Sequence, residues 1–228
     1  MHITDKIPLY HGTSSYWLGH ILEHGLGSQN ILEKYDILKF GHHVIKIAND
    51  HLSDFEVMTY DLPYLKEMLT QKEGCGLGSW SHGSTFLSSC PFTAARYSHN
   101  EWGSELLTRC FRFVRAYNEV NNDLSLFFED FDSLFEVYKS AHHPILLLLE
   151  VEQDQLLDEA GRDGKYLEKA LDNMKFTESP SIQGGPAFRL RTPVEIRVEQ
   201  ITVPIPLDID KRRFRFLKVS EITNDISL

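Results

Sequence analysis

The chain has 228 residues, 42% of them apolar, and a formal net charge of −10, so it can bury one sizeable core and is too acidic for a non-specific binder of nucleic acid or anionic membrane. Three cysteines, Cys75, Cys90 and Cys110, fall at no metal spacing, which fits a reducing compartment and excludes a disulfide-framed scaffold. The longest apolar run, Ile145 to Leu149, is far too short to cross a bilayer, and the opening residues, with His2, Asp5 and Lys6, are not those of a conventional signal peptide.

In chain order, residues 7–13 read as a strand that ends in His11-Gly12-Thr13. Ser14 or Ser15 then caps a short helix whose apolar side carries Trp17, Leu18, Ile21 and Leu22, and Gly25-Leu26 stops it. Residues 28–73 read as an insertion. Within it Ser53 to Glu56 has the form of a capping box, and Met58, Leu62, Leu65, Met68 and Leu69 continue at helical spacing, with Pro63 expected to break or kink the run. The glycine-rich residues 74–84 miss the dinucleotide fingerprint and read as a loop. Thr85 to Ser89 reads as a strand, and Ser89 as the cap of a helix through Pro91, Ala94, Ala95 and Tyr97. Two helical patterns come next, over 102–119 and 122–139, the second with Leu124, Phe127, Phe128, Phe131, Leu134, Phe135 and Tyr138 on one side. Pro144 to Glu152 is the clearest buried strand. After it come a helix over 163–174, a loop over 180–186, and strands over 187–190, 195–203 and 213–219. With no internal repeat, low-complexity tract or linker, the expectation is a single α+β domain over 1–228, with helical insertions about 28–73 and 111–140.

Several constellations compete for chemistry. His20-Ile-Leu-Glu-His24 matches an inverted zincin pattern, but the helix stops at Gly25 and no third acidic ligand is recognisable on a following helix, so surface histidines are the better reading. The pairs His42-His43 and His142-His143 point apart on either regular element and make poor chelators. Cys90 precedes a helix, where a thiol is activated, yet no general base can be named for it, and a small buried residue is the plainer reading. Lys211 to Lys218 alternates basic and aromatic residues, as an edge strand in an acidic chain would. No metal site is expected.

His11-Gly12-Thr13 stands apart because of the order of the downstream segments. Phe86-Leu-Ser-Ser89 precedes a helix with Tyr97 eleven positions after Phe86; then come Leu148-Leu-Glu-Val151 and Glu195-Ile-Arg-Val198. This order resembles the ADP-ribosyltransferase superfamily, in the branch shared by diphtheria toxin and the poly(ADP-ribose) polymerases, from Leu9 to about Asp208. In that branch a first-strand histidine is followed by glycine and a small hydroxyl residue. The polymerases' Tyr-Phe-Ala-Asp strand lines up on Phe86 to Ser89, and their Leu-Leu-Glu-Val strand on Leu148 to Val151. Their stacking tyrosine falls at Tyr97 and their catalytic glutamate, which opens a strand, at Glu195. Two positions depart: the family's first aromatic is tyrosine and here it is Phe86, and the serine three residues before the stacking tyrosine is here Ala94. The cholera-toxin branch fits less well, since it opens with arginine and has Glu or Gln where this chain has Pro193.

The resemblance implies an α+β fold with the family's split β-sheet core, and a mono-ADP-ribosyltransferase that uses NAD as co-substrate, without a metal. It implies a macromolecular acceptor, expected to be a protein, in the cytoplasm or in a host cytosol into which the chain is delivered. Glu195 would be the catalytic carboxylate near the ribose, with Glu199 its nearby rival. His11 would bind the other ribose with support from Thr13, Gly12 would meet the nicotinamide amide through its backbone, and Tyr97 would stack on the ring with Phe86 walling the pocket. The loss of the Phe86 hydroxyl and of a serine at Ala94 leaves open an NAD-binding module without turnover. An RNA 2′-phosphotransferase shares the fold, but its set of arginines and histidines is not found here, and the acidic charge disfavours RNA.

Overall fold

A computed structural model describes residues 6–51, 61–70, 83–175, 185–208 and 213–218. The chain is mixed α/β, and by its internal contacts it divides into two compact units. The first gathers residues 1–29, 84–103 and 142–228; the second gathers 30–83 and 104–141.

The first unit is built on an open sheet in which every described neighbouring pair runs antiparallel. Its strands are β1 (Ile7–Ser14), β2 (Phe86–Ser88), β3 (Pro144–Val151), β4 (Leu156–Asp158), β5 (Ala187–Leu190), β6 (Ile201–Asp208) and β7 (Arg213–Lys218). They lie in the order β4-β5-β2-β1-β3-β6-β7. The apolar run of β3 places it centrally, paired along its whole length with β1, from Ile7↔Val151 to Ser14↔Pro144. The basic-aromatic segment at 213–218 is indeed an edge strand, with Phe214 buried and Arg215 and Lys218 exposed. The sheet is continuous, but its β1–β2 seam is thin, with Tyr10↔Ser88 the one pair in register.

After β1, Ser14 caps a single 3-10 turn, Ser15–Trp17, by accepting from Tyr16 N–H, and α1 (Leu18–His24) follows. Trp17 and Ile21 are buried as their spacing predicts, whereas Leu18 is half-buried and Leu22 exposed; Leu26 is buried after Gly25, which ends the helix at φ 86°, a left-handed conformation that suits glycine. Helix α5 (Pro91–Ser98) starts with proline in its first turn, where no N–H is lost. Its cap position is Cys90 and not Ser89 as expected, because the Ser89 hydroxyl donates to the Pro186 carbonyl. Helix α9 (Lys165–Lys175) completes this unit's long helices among the described residues.

The second unit holds α2 (Ile31–Lys34), α3 (Ile37–Asp50), α4 (Asp61–Thr70), α6 (Glu105–Asn121), α7 (Ser125–Phe128) and α8 (Asp132–Lys139). Pro63 sits in the first turn of α4 and breaks nothing there. The single helix expected over 122–139 is two, with a break at 129–131. The break lets Phe131 turn inward beside Phe127, Phe128 and Leu134, where one straight helix would bury a narrower stripe. Phe40 is the hub of this core, with ring centroids 5.7 Å from Phe111, 5.6 Å from Phe128 and 5.1 Å from Phe131. The expected capping box at Ser53 to Glu56 and the glycine-rich loop up to residue 82 lie outside the described residues.

Candidate functional site

The sheet register sorts the expected site residues by face. Side chains alternate along a strand, and in-register partners share a face. Tyr10 pairs with Ser88 and Phe86 with Arg189, so Gly12, Tyr10, Phe86 and Arg189 lie on one face of the sheet. His11 and Thr13 project to the other, with Leu9, Leu87, Leu147, Leu149 and Phe188, the latter five fully buried. That second face is the core of the unit.

Helix α5 covers the first face at Gly12. A Cβ on Gly12 would meet the Ala94 carbonyl oxygen at 1.8 Å and the Ser98 nitrogen at 2.7 Å. The glycine is therefore demanded by helix-on-sheet packing, whatever else its backbone does. Both ends of α5 reach the edge strand: Phe92 in its first turn lies 5.8 Å from Phe216, and His99 just past its C-terminal end lies 5.3 Å from Phe214, between ring centroids. Beside the helix the face stays open: Phe86 and Tyr10 are half-buried, Leu148 is 40% exposed and Tyr97 is 57% exposed.

His11 is joined to this region through the seam. Its Nδ1–H donates to the Phe86 carbonyl oxygen at 2.8 Å, bridging the place where the β1–β2 ladder thins. Burial lowers its pKa below the usual histidine value, outweighing the opposite effect of that carbonyl. The ring is thus neutral at pH 7, with Nε2 an acceptor. Thr13, two residues on along the same face, is buried.

Glu195 does not open a strand. Val194 makes an isolated antiparallel bridge with Leu26, Val198–Gln200 is a 3-10 turn, and the ladder resumes only at Ile201. The cause is local: the Gln200 side chain accepts from Arg197 N–H at 2.8 Å and donates to the Leu148 carbonyl at 2.9 Å, displacing strand pairing. Glu195 is exposed on this short segment, which Leu26 pins at one end and β3 at the other. Glu199 sits in the turn itself, so the two carboxylates do not share one face of a pleated strand. Among the described residues no hydrogen bond or ring contact joins Glu195 or Tyr97 to His11 and Phe86.

One further residue of this face, Arg189, is not singled out by the sequence. Its guanidinium stands over the Phe86 ring at 5.1 Å from the centroid, and its Nε–H donates to the Glu159 carbonyl at 2.7 Å. Nothing local in Ala187-Phe-Arg-Leu190 marks it; only the Phe86↔Arg189 register does.

The other candidates are placed as follows. The rings of His20 and His24 lie 4.6 Å apart and His24 Nε2 is 3.6 Å from Glu23, but no group of three or more His, Cys, Asp or Glu residues suited to a metal gathers among the described residues. Cys90 is buried, and its backbone N–H donates to Ser88 Oγ at 3.1 Å. Burial pushes the Cys110 thiol up to about 12, away from a reactive thiolate. Among the described residues no helix is long and apolar enough to cross a membrane.

No protein-family model, curated protein or solved structure matches this chain.

Proposed function

We propose that the chain is an NAD-dependent mono-ADP-ribosyltransferase whose site lies at the thin β1–β2 seam of its sheet, which is continuous where the resemblance implies a split core. The observation that carries the proposal is the meeting at that seam of residues distant in sequence: His11 bonded to the Phe86 carbonyl, and Gly12 seated against the helix of Tyr97. These are the motif positions on which the resemblance rests.

In the proposed reaction the bond between nicotinamide and ribose C1′ breaks. Its electron pair leaves with the nicotinamide nitrogen, which becomes neutral, and positive charge gathers on the ribosyl ring. A nucleophilic atom of the acceptor, a protein side chain in this proposal, then bonds to C1′ and releases its proton to solvent. The half-open face beside α5 receives the pyridinium ring, with Phe86 and Tyr97 as its aromatic walls. His11, which projects to the opposite face, serves here by fixing β2, and with it the Phe86 wall, through its Nδ1 bond to the Phe86 carbonyl, and not by meeting the ribose itself. Glu195 supplies the anion that the oxocarbenium-like transition state needs, and this demands a carboxylate at a set place rather than a strong base. The exposed segment of Glu195 would be drawn in by its hydrogen bond to the ribose 2′-hydroxyl.

One observation favours a second reading, an NAD-binding module without turnover. Among the described residues nothing bonds the Glu195 carboxylate, whereas catalysis of this type works through preorganised groups.

The test is purified protein with nicotinamide-labelled NAD and a cell extract as the source of acceptors, beside Glu195→Gln. Nicotinamide release that falls about a hundredfold or more in the variant, at unchanged NAD affinity, is the expected result. NAD binding without release assigns the module instead, and failure to bind NAD sinks both.

A further inference from the structure

We infer that Tyr10 fixes the nicotinamide end of the donor, with its phenol hydroxyl bonded to the carboxamide of the ring. The inference rests on the proposed NAD site and adds to it a residue that sets which ligand the site prefers.

Tyr10 and Phe86 meet across the seam. Tyr10 is in register with Ser88, so antiparallel pairing sets Phe86 diagonally across from it on the Gly12 face. Such diagonal neighbours stand roughly 7–8 Å apart, within reach of aromatic side chains. Helix α5 borders this place on one side. Its Ala94 and Ser98 rest on Gly12, while Phe92 and His99 turn to β7. In the strand order β7 lies on the far side of β1 from β2. The flank of α5 that carries Thr93 and Tyr97, four residues apart, is therefore the one turned to β2. Tyr10, Phe86 and Tyr97 border one stretch of the open face, with Cys90 beside Tyr10 at the start of the helix.

The serine hydroxyls around this stretch are already bonded to backbone. Ser88 accepts from the Cys90 N–H, Ser89 donates to the Pro186 carbonyl and Ser98 to the Ala95 carbonyl. Tyr10 differs: it is half-buried, and its hydroxyl makes no hydrogen bond to any described residue. A phenol placed so gives up part of its hydration and regains nothing from the protein, which a ligand's acceptor would restore. Burial, and then the neighbouring Cys90, raise its pKa above the usual tyrosine value, so at neutral pH it is a donor. A donor set among aromatic side chains suits an acceptor carried on a flat ring, which is what the carboxamide oxygen of nicotinamide is. Arg189 already stands over the Phe86 ring from β5. The cationic pyridinium therefore keeps to the α5 side, against Tyr97, and turns its carboxamide to Tyr10.

The experiment measures the affinity of the full chain for NAD and for ADP-ribose by calorimetry, in the wild type and in Tyr10→Phe. ADP-ribose keeps the adenosine, both phosphates and both riboses of NAD and lacks only the nicotinamide. Tyr10→Phe, which keeps the ring and removes one oxygen, is expected to weaken NAD roughly tenfold, as loss of a single hydrogen bond does, and to leave ADP-ribose unchanged. The ratio of the two affinities is read within each protein, so a general loss of stability, which lowers both alike, does not imitate the result. Equal NAD affinity in wild type and Tyr10→Phe overturns the inference and leaves the NAD site standing. An equal loss for both ligands also overturns it, since Tyr10 then shapes the site or meets the adenosine. A wild type that does not bind NAD removes the NAD reading and the inference together.

Discussion

Because the Phe86 carbonyl can only accept, His11 carries its proton on Nδ1 and its lone pair on Nε2, and the fold thereby sets both the tautomer and the charge of this residue. Its lowered pKa has a thermodynamic consequence whose sign is fixed. The imidazole of the unfolded chain takes a proton near its ordinary value of 6.5, while the folded one stays neutral to lower pH. Above that value both forms are neutral and the shift costs nothing. As pH falls through it the unfolded state binds the extra proton, and stability declines until the folded ring titrates as well. Denaturant midpoints measured from pH 7.5 to pH 5 should therefore fall further for the wild type than for His11→Asn, whose amide can still donate to Phe86. Parallel pH curves for the two proteins would show that His11 carries no buried-histidine penalty. Asp158 adds to this loss at more acid pH. Burial raises its pKa, but the hydrogen bonds from Arg162 outweigh this and hold the carboxyl below its ordinary value, so its contribution is full above that value and is lost as pH falls through it towards the lowered one.

The contact of α5 with β1 is where an element, rather than a residue, sets the site. With the Ala94 carbonyl oxygen only 1.8 Å from where a Cβ would stand, and backbone atoms unable to turn aside, Gly12→Ala has to push the helix off the strand. The expected cost is about 1–3 kcal/mol or more of unfolding free energy, read from chemical denaturation. A larger fractional loss of NAD binding should accompany it, since Tyr97 rides on the same helix. An alanine variant as stable as the wild type would mean that the helix is not seated as described. Elements marked by their own residues were legible in the sequence: β1, although it runs on through Gly12 to Ser14 without the turn that His11-Gly12 suggests, α1 between Ser14 and Gly25, α5 opened by Pro91, and β3 as an unbroken apolar run. Those set by partners were not. The start of β6 slips from residue 195 to 201 because a Gln200 side chain, bonded to Leu148, takes the place of the ladder. The motif's members were readable as residue types in order. Their division between two faces, and the presence of Arg189 beside Phe86, depend on strand register across sequence separations that no local pattern encodes.

At the scale of the chain, the two stretches that looked like insertions fall within one unit with a core of its own, centred on Phe40 and walled by Phe111, Phe128 and Phe131. The candidate site residues all belong to the other unit. This division bears on stability in a way that can be measured. Removing the fully buried Phe40 ring should cost about 3–5 kcal/mol, the range for a large aromatic truncated in a close-packed core. If each unit is a cooperative body, the loss is confined to one of them. In Phe40→Ala, hydrogen exchange should then accelerate by several orders of magnitude in α3 and α6, while amides of β1 and β3 keep their protection. NAD affinity should change little, because neither the seam nor the Gly12 face includes a residue of the Phe40 core. Exchange that rises equally in β1 and α6 would mean that the whole chain unfolds as one, and that the site borrows its stability from the helical unit. The same measurement with NAD present sharpens the alternatives. A ligand that binds only the folded state protects whatever unfolds with its site, so NAD should slow exchange in β1 and α5 and leave α3 untouched if the units are independent.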